Sequence, residues 1–204
     1  MHIITALAIA IGALAAVASW LCLGTPLGLQ VWALFIGWGS FYHTGGKADG
    51  LRKSVTNHAW GVVLAAITLV VIGKVAGPVP VTSAIIGVSV VVLVLGAHLP
   101  ALSTIPAGVY GYASTAAFSL LSGVAITDPT AVAKAAGLVL ASLAVGNLFG
   151  LVSEKLGGIL AAPAAKAAGA RVAGGGGPLL SPVSFRPLPR RGSCRPHPSP
   201  ASPA

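Results

Sequence analysis

The chain has 204 residues, of which 55% are hydrophobic and 7% are charged, and its mean hydropathy is +0.92. Because a soluble domain carries about a quarter charged residues, this composition excludes an ordinary soluble domain and indicates several membrane spans. The formal net charge of +9 is divided unevenly: residues 1 to 160 hold six basic and three acidic residues, and residues 161 to 204 hold six basic residues and no acid. The basic residues are not accompanied by a nucleic-acid-binding motif, so specific nucleic-acid binding is not expected. Their positions are interpreted as a signal for the orientation of the chain in the membrane.

Six apolar segments predict six membrane-spanning helices, since about 20 mostly apolar residues are needed to cross a bilayer. The predicted fold class is therefore an all-α integral membrane protein. In chain order the segments are residues 3 to 23, 27 to 44, 56 to 76, 80 to 98, 103 to 123 and 130 to 152. We expect Thr56 or Asn57 to cap the third helix, and Asp128 with Pro129 to begin the sixth.

The first segment has a second interpretation as a signal peptide. Ala16 and Ala18, in AVASW, have the spacing of a signal-peptidase site. Only His2, and no Lys or Arg, precedes the apolar run. Because signal peptides usually begin with a basic region, the sequence favours a helix that is retained.

The basic residues outside the spans predict an orientation. Residues 47 to 53 include three basic residues and one acid, and the chain from residue 155 onward includes seven basic residues and no acid. With six spans these two regions lie on one side, so the positive-inside rule predicts that both termini are cytoplasmic. Lys74 and Lys134 oppose this assignment, each as a single charge.

The composition changes at Ala161 to mostly Ala, Gly, Pro and Arg. A segment of this composition is unable to build an apolar core, so residues 161 to 204 are predicted to be a disordered basic tail. A short amphipathic or lipid-attracted basic tail is the alternative.

An internal match relates the second apolar segment to the fifth. The string FIGWGSFY begins at residue 35 and VYGYASTA begins at residue 109. At an offset of 74 residues the aligned pairs are Gly37 with Gly111, Trp38 with Tyr112, Gly39 with Ala113 and Ser40 with Ser114. Weaker matches pair Gly61 with Gly137 at an offset of 76 and Gly12 with Gly87 at an offset of 75.

These matches predict two three-helix units, residues 1 to 77 and residues 78 to 160. Since each unit has an odd number of spans, the second must enter the membrane from the opposite side, which makes an inverted repeat. Inverted repeats bring equivalent helices together near the bilayer midplane, where many transporters place their substrate site.

The matched motifs have two interpretations, a permeation pathway and a helix-packing interface. Small residues allow backbones to approach closely, whereas the accompanying aromatic and hydroxyl residues favour a pathway. The predicted lining residues are Gly37, Trp38, Ser40, Gly111, Tyr112 and Ser114. Secondary candidates are His58, which the offset of 76 pairs with Lys134, and Asn147, a polar residue inside the last span. Capping and helix-to-helix hydrogen bonding are the alternatives for these two.

Catalysis is not expected. The acids are Asp49, Asp128 and Glu154, and Cys22 and Cys194 lack paired spacing. Neither a paired-carboxylate site, a metal-binding pattern nor a phosphate-binding loop is present, so no enzyme, cofactor or metal is predicted.

The strings FIGWGSFYHTGGKADGLRKS and GVYGYAST resemble those of the bacterial inner-membrane family of domain of unknown function 1097, the YcdZ-like proteins. The resemblance covers roughly residues 3 to 160. It implies a multi-spanning protein of the bacterial inner, or cytoplasmic, membrane, and it names no substrate.

The function predicted from the sequence is a channel or facilitator for a small polar solute. Few ionisable residues lie inside the spans, which favours passive movement over tight ion coupling. The alternative is a membrane scaffold or accessory subunit whose Gly and Ser motifs pack helices within or between protomers. The expected partners are the lipid bilayer, a small polar solute and other copies of the chain in a homo-oligomer.

Overall fold

The structure, a computed structural model, describes residues 2 to 174, with side chains placed for residues 2 to 162. The described residues form helices and loops and contain no strand. The helices are α1 Ile3–Leu23, α2 Val31–His43, α3 Lys47–Val75, α4 Val79–Leu95, α5 Ile105–Leu121 and α6 Pro129–Gly174. Two short 3-10 turns, Gly96–His98 and Pro100–Leu102, join α4 to α5.

Each predicted segment overlaps one α-helix, but the helices differ in length. Four are long and apolar enough to cross a membrane: Ile3–Leu23, Lys47–Val75, Val79–His98 and Pro129–Ala162. With 13 residues, α2 is about 20 Å long, which is less than the hydrocarbon thickness of about 30 Å. At 17 residues, α5 is also short. Thus the all-helical class is confirmed for the described residues, and four of the six predicted spans have helices long and apolar enough to cross a membrane.

A tight turn places the start of α3 earlier than predicted. Gly45 and Gly46 have φ angles of 99° and 68°, which favour glycine, and the new helix begins directly afterwards at Lys47. The Lys47 backbone N–H donates to the Glu154 carboxylate at 2.8 Å. A carboxylate at this position compensates the unpaired N–H groups of the helix start. The prediction that Thr56 or Asn57 caps this helix is therefore wrong.

The start of α6 agrees with the prediction. This helix begins at Pro129, and the Asp128 carboxylate accepts a hydrogen bond from the Thr130 N–H at 2.8 Å. Asp128 as the capping residue is thus confirmed. The helix continues to Gly174, past the residue at which the tail was predicted to begin, and residues 175 to 204 of that tail lie outside the described part of the chain.

Two pairs of parallel helices form the centre of the fold: α2 packs on α6, and α3 packs on α5. Residue numbers rise together along each pair. The contacts that show this are Gln30 with Ser142 and Phe41 with Gly150 in the first pair, and Asn57 with Ala101 and Gly73 with Ile126 in the second. The apolar core lies along these contacts, with Leu34, Phe41, Val139 and Leu143 fully buried.

Glycines allow the α2 and α6 backbones to touch. A Cβ on Gly37 would overlap the backbone of Leu143, and a Cβ on Gly146 would overlap the backbone of Leu34. These contacts are to backbone atoms, which are unable to move aside as a flexible side chain can. Glycine is therefore required at both positions for this close packing.

The same arrangement joins α3 to α5. A Cβ on Gly61 would overlap the backbone of Gly108, and a Cβ on Gly111 would overlap the backbone of His58. In both helix pairs, each helix contributes one glycine to the contact. On each helix, this glycine lies three residues after the residue that the partner's glycine touches.

Candidate functional site: a groove between α2 and α5

The two helices that carry the matched motifs enclose a groove of about 620 Å³. The two helices run in opposite directions along the groove. This is shown by the rings of His43, at the end of α2, and Tyr110, near the start of α5, whose centres are 6.1 Å apart. The lining residues are Trp32, Ile36, Gly39, Ser40, His43, Tyr110, Ala113, Ser114 and Ala117. We call this cavity the α2–α5 groove.

Two predicted residues, Ser40 and Ser114, line the groove from facing helices. Their exposed fractions are 1% and 3%, so both hydroxyl groups are almost fully withdrawn from the surface. The Ser40 hydroxyl is 2.7 Å from the Ser54 hydroxyl on α3, and this hydrogen bond fixes it to the wall. Hydroxyl groups both donate and accept hydrogen bonds, but most of the surface that the groove offers is apolar.

Two other predicted residues, Gly37 and Gly111, lie outside the groove lining. They face away from it, onto the backbones of Leu143 and His58 respectively. Their neighbours in the motifs, Gly39 and Ala113, line the groove instead. Within one motif, therefore, successive small residues serve two faces of the helix.

The aromatic members of the motifs make hydrogen bonds elsewhere. The buried indole N–H of Trp38 donates to the Ser153 hydroxyl on α6 at 3.0 Å, and the Tyr42 hydroxyl is 2.8 Å from the same oxygen. The Tyr112 hydroxyl is 2.7 Å from that of Ser89 on α4. Neither Trp38 nor Tyr112 lies in the groove lining.

The secondary candidates His58 and Asn147 meet in the interior of the bundle. The amide Nδ2 of Asn147 is 3.3 Å from the imidazole Nδ1 of His58, and both residues are 0% exposed. The same Nδ2 donates to the Leu143 carbonyl at 2.8 Å. His58 Nε2 and Asn147 Oδ1 have no hydrogen-bond partner among the described residues. Such buried atoms are costly unless they serve a water molecule or a solute.

Sequence reasoning missed several residues of this site. His43 and Tyr110 line the groove, and Ser153 holds Trp38, yet none belongs to the predicted set. A signal for Tyr110 was present, because it lies three and four residues before Ala113 and Ser114 and so shares their face of α5. Ser153 carries no such signal, since its contact joins residues 115 positions apart.

Several of the groups that line the groove can form hydrogen bonds with a bound molecule. Its lining contains hydroxyl groups and one imidazole, and it contains no carboxylate, lysine or arginine. Within the described residues, no group of three or more His, Cys, Asp or Glu side chains could hold a metal ion.

The fold and this groove define the class of the protein: an all-helical chain whose long apolar helices indicate a membrane location. The family can be stated more narrowly. Residues 8–158 match the model of the family described as protein of unknown function DUF1097, and the chain belongs to this family. Comparisons with curated proteins and with solved structures found no match.

Proposed function

We propose that this protein is a channel or facilitator for a small polar solute and that the solute crosses along the α2–α5 groove. One observation carries the proposal: Ser40 and Ser114, from two distant parts of the chain, line one cavity together. The lack of charged residues in the lining favours an uncharged solute over an ion, because an ion would need compensating groups. No catalytic step and no cofactor form part of this function.

We also propose that the two halves of the chain form an inverted repeat, which the glycine contacts support. The reciprocal glycine contacts of α2 with α6 have counterparts in α3 with α5. The corresponding positions are Leu34 and Gly37 with Gly108 and Gly111, and His58 and Gly61 with Leu143 and Gly146. The first set has the predicted offset of 74, whereas the second has an offset of 85 (61 to 146).

The offset of 76 predicted for the third helix of each unit does not describe this packing. It pairs Gly61 with Gly137, but a Cβ on Gly137 would meet nothing within 4 Å. Gly61 packs on a neighbouring backbone, as Gly146 does. We therefore propose that Gly146, and not Gly137, is the equivalent of Gly61, which makes Leu143 and not Lys134 the equivalent of His58.

We further propose that the protein lies in the inner membrane of a bacterium with both termini in the cytoplasm. The Glu154 carboxylate accepts a hydrogen bond from the first residue of α3. One end of the bundle therefore holds the basic residues Lys47, Arg52 and Lys53 together with Glu154 and Lys155. The positive-inside rule assigns this basic end to the cytoplasm. In this arrangement the short α2 and α5 are held between longer helices that span the bilayer.

Solute flux into proteoliposomes tests the function. The full chain is reconstituted and swelling is followed in a panel of small uncharged solutes and in salts. Ala113→Trp places a large ring in the groove, whereas Ala133→Trp places the same ring at an exposed position of α6 outside it. We expect flux of one or more uncharged solutes in the wild type and in Ala133→Trp, and a loss of at least tenfold in Ala113→Trp. Equal flux in both variants, or no flux above empty vesicles for any solute, contradicts the proposal.

The glycine contacts specifically favour a second candidate, a membrane scaffold. Gly37, Gly61, Gly111 and Gly146 bring helix backbones together, which a structural role alone would explain. A scaffold predicts that Ala113→Trp leaves folding intact and removes binding of another membrane protein, with no flux in the wild type. The flux measurement therefore separates the two functions.

A further inference from the structure

A ridge on α3 separates two cavities at the basic end of the bundle. Arg52 and Thr56 line both of them. The smaller cavity, about 140 Å³, lies toward the 3-10 turn Pro100–Leu102 and is also lined by Asp49, Lys53, Pro100 and Ala101. The larger cavity, about 400 Å³, lies toward α6 and is also lined by Ala48, Leu51, Val55, Ala144 and Leu148. We call the larger one the α3–α6 groove.

The charges at this end are unevenly compensated. Lys53 forms an ion pair with Asp49 at 2.6 Å, and this is the one ion pair among the side chains of residues 2 to 162. The Glu154 carboxylate accepts from the backbone N–H of Lys47 and so compensates the start of α3. Arg52 is exposed and has no carboxylate at salt-bridge distance in the described residues. One cation is thus available at the mouth of an apolar groove.

Arg52 and the α3–α6 groove also lie at depths that one lipid molecule could reach together. Arg52 is five residues into α3, about 7.5 Å from the start of the helix. Arginine side chains reach from such positions to the membrane surface while their methylene groups cover apolar surface. Apart from Arg52 and Thr56, the α3–α6 groove is lined by aliphatic residues. The combined surface therefore offers an anion contact at the level of lipid head groups and an apolar slot below it.

We propose that the α3–α6 groove binds one anionic phospholipid. Arg52 donates hydrogen bonds to its phosphate, and one acyl chain lies along Leu51, Val55 and Leu148. The planar guanidinium group matches a phosphate with two parallel hydrogen bonds. Charge complementarity selects an anionic head group over a zwitterionic one. A free anion would use Arg52 but leave the apolar groove empty. This inference is independent of the proposed solute pathway, which uses other residues.

Lipid titration of the purified full chain tests the proposal. Binding of phosphatidylglycerol and of phosphatidylcholine is measured by native mass spectrometry for the wild type, Arg52→Gln, Lys53→Gln and Ala144→Phe. Arg52→Gln and Lys53→Gln each remove one positive charge, but Lys53 does not line the α3–α6 groove. Ala144→Phe fills the groove and leaves the charge unchanged. Ala48→Phe is a second filling variant at an exposed position, used if Ala144→Phe fails to fold.

We expect lipid binding to require both Arg52 and the apolar part of the groove. The wild type and Lys53→Gln bind phosphatidylglycerol about tenfold more tightly than phosphatidylcholine, and Arg52→Gln loses this preference. The groove-filling variant loses binding of both lipids. Equal losses in Arg52→Gln and Lys53→Gln would show diffuse attraction of charge and overturn the proposal. Competition by glycerol phosphate would also overturn it, since that outcome identifies a site for a free anion.

Discussion

Gly61 of α3 lies against Gly108 of α5 so closely that a Cβ on Gly61 would overlap the Gly108 carbonyl. Gly146 of α6 has the same relation to Leu34 of α2. Two helix pairs that are distant in the sequence thus cross in the same way. This relationship positions α2 and α5 on either side of the groove.

Alanine at these crossing positions is expected to destabilise the fold. Gly61→Ala and Gly146→Ala should each lower the free energy of unfolding by about 1–3 kcal/mol, because the added methyl group must displace backbone. Thermal or denaturant unfolding in detergent measures the change. Gly137→Ala is the matched control, since a Cβ there meets nothing within 4 Å. Similar stability of all three variants would contradict the packing described.

Removal of the Ser153 hydroxyl is expected to weaken the contact between α2 and α6. In Ser153→Ala the buried indole N–H of Trp38 loses its acceptor, which costs about 1–3 kcal/mol of unfolding free energy. The same unfolding assay applies, with Ser103→Ala, at an exposed loop position, as the control. An unchanged midpoint for Ser153→Ala would show that this hydrogen bond does not stabilise the protein.

The pair of His58 and Asn147 distinguishes a functional polar group from a structural one. Each single change, His58→Leu or Asn147→Leu, leaves a buried partner and should destabilise the fold. The double variant removes both polar groups, so its stability should approach that of the wild type, because replacing both partners by apolar groups is nearly neutral. We expect this double variant to fold and to keep the solute flux of the wild type, because neither residue lines the α2–α5 groove. A loss of flux in a folded double variant would show that the pathway does not follow this groove alone.

The apolar segments located the six helices, but they did not predict every helix boundary or the contacts between helices. The bounds of α1 were predicted correctly because residues 3 to 23 form an uninterrupted apolar run between a polar start and Gly24. The start of α3 was missed because Lys47, Arg52 and Lys53 are typical of a loop, whereas the Glu154 carboxylate from α6 supports a helix there. Such a tertiary contact has no local signature.

The candidate site was predicted in part for the same reason. The offset of 74 identified Ser40 and Ser114, which the groove brings together. Which small residue faces the groove and which faces a helix depends on the rotation of α2 and α5 about their axes. That rotation is set by the contacts of Gly37 and Gly111 with α6 and α3. The offset of 76 paired Gly61 with Gly137, which does not pack on a neighbouring backbone, because strings of Ala, Val and Leu match at more than one offset.

Thiol accessibility at the two groove serines tests the central claim most directly. In a chain with Cys22 and Cys194 replaced, Ser40→Cys and Ser114→Cys are labelled in intact membranes with a small water-soluble thiol reagent. Ser119→Cys, fully buried outside the groove, and Ser103→Cys, in an exposed loop, are the negative and positive controls. A solute pathway predicts labelling at residues 40 and 114 and its loss when Ala113→Trp is added. Protection of both cysteines in the folded protein, at the level of residue 119, would contradict a hydrated groove and leave the packed scaffold.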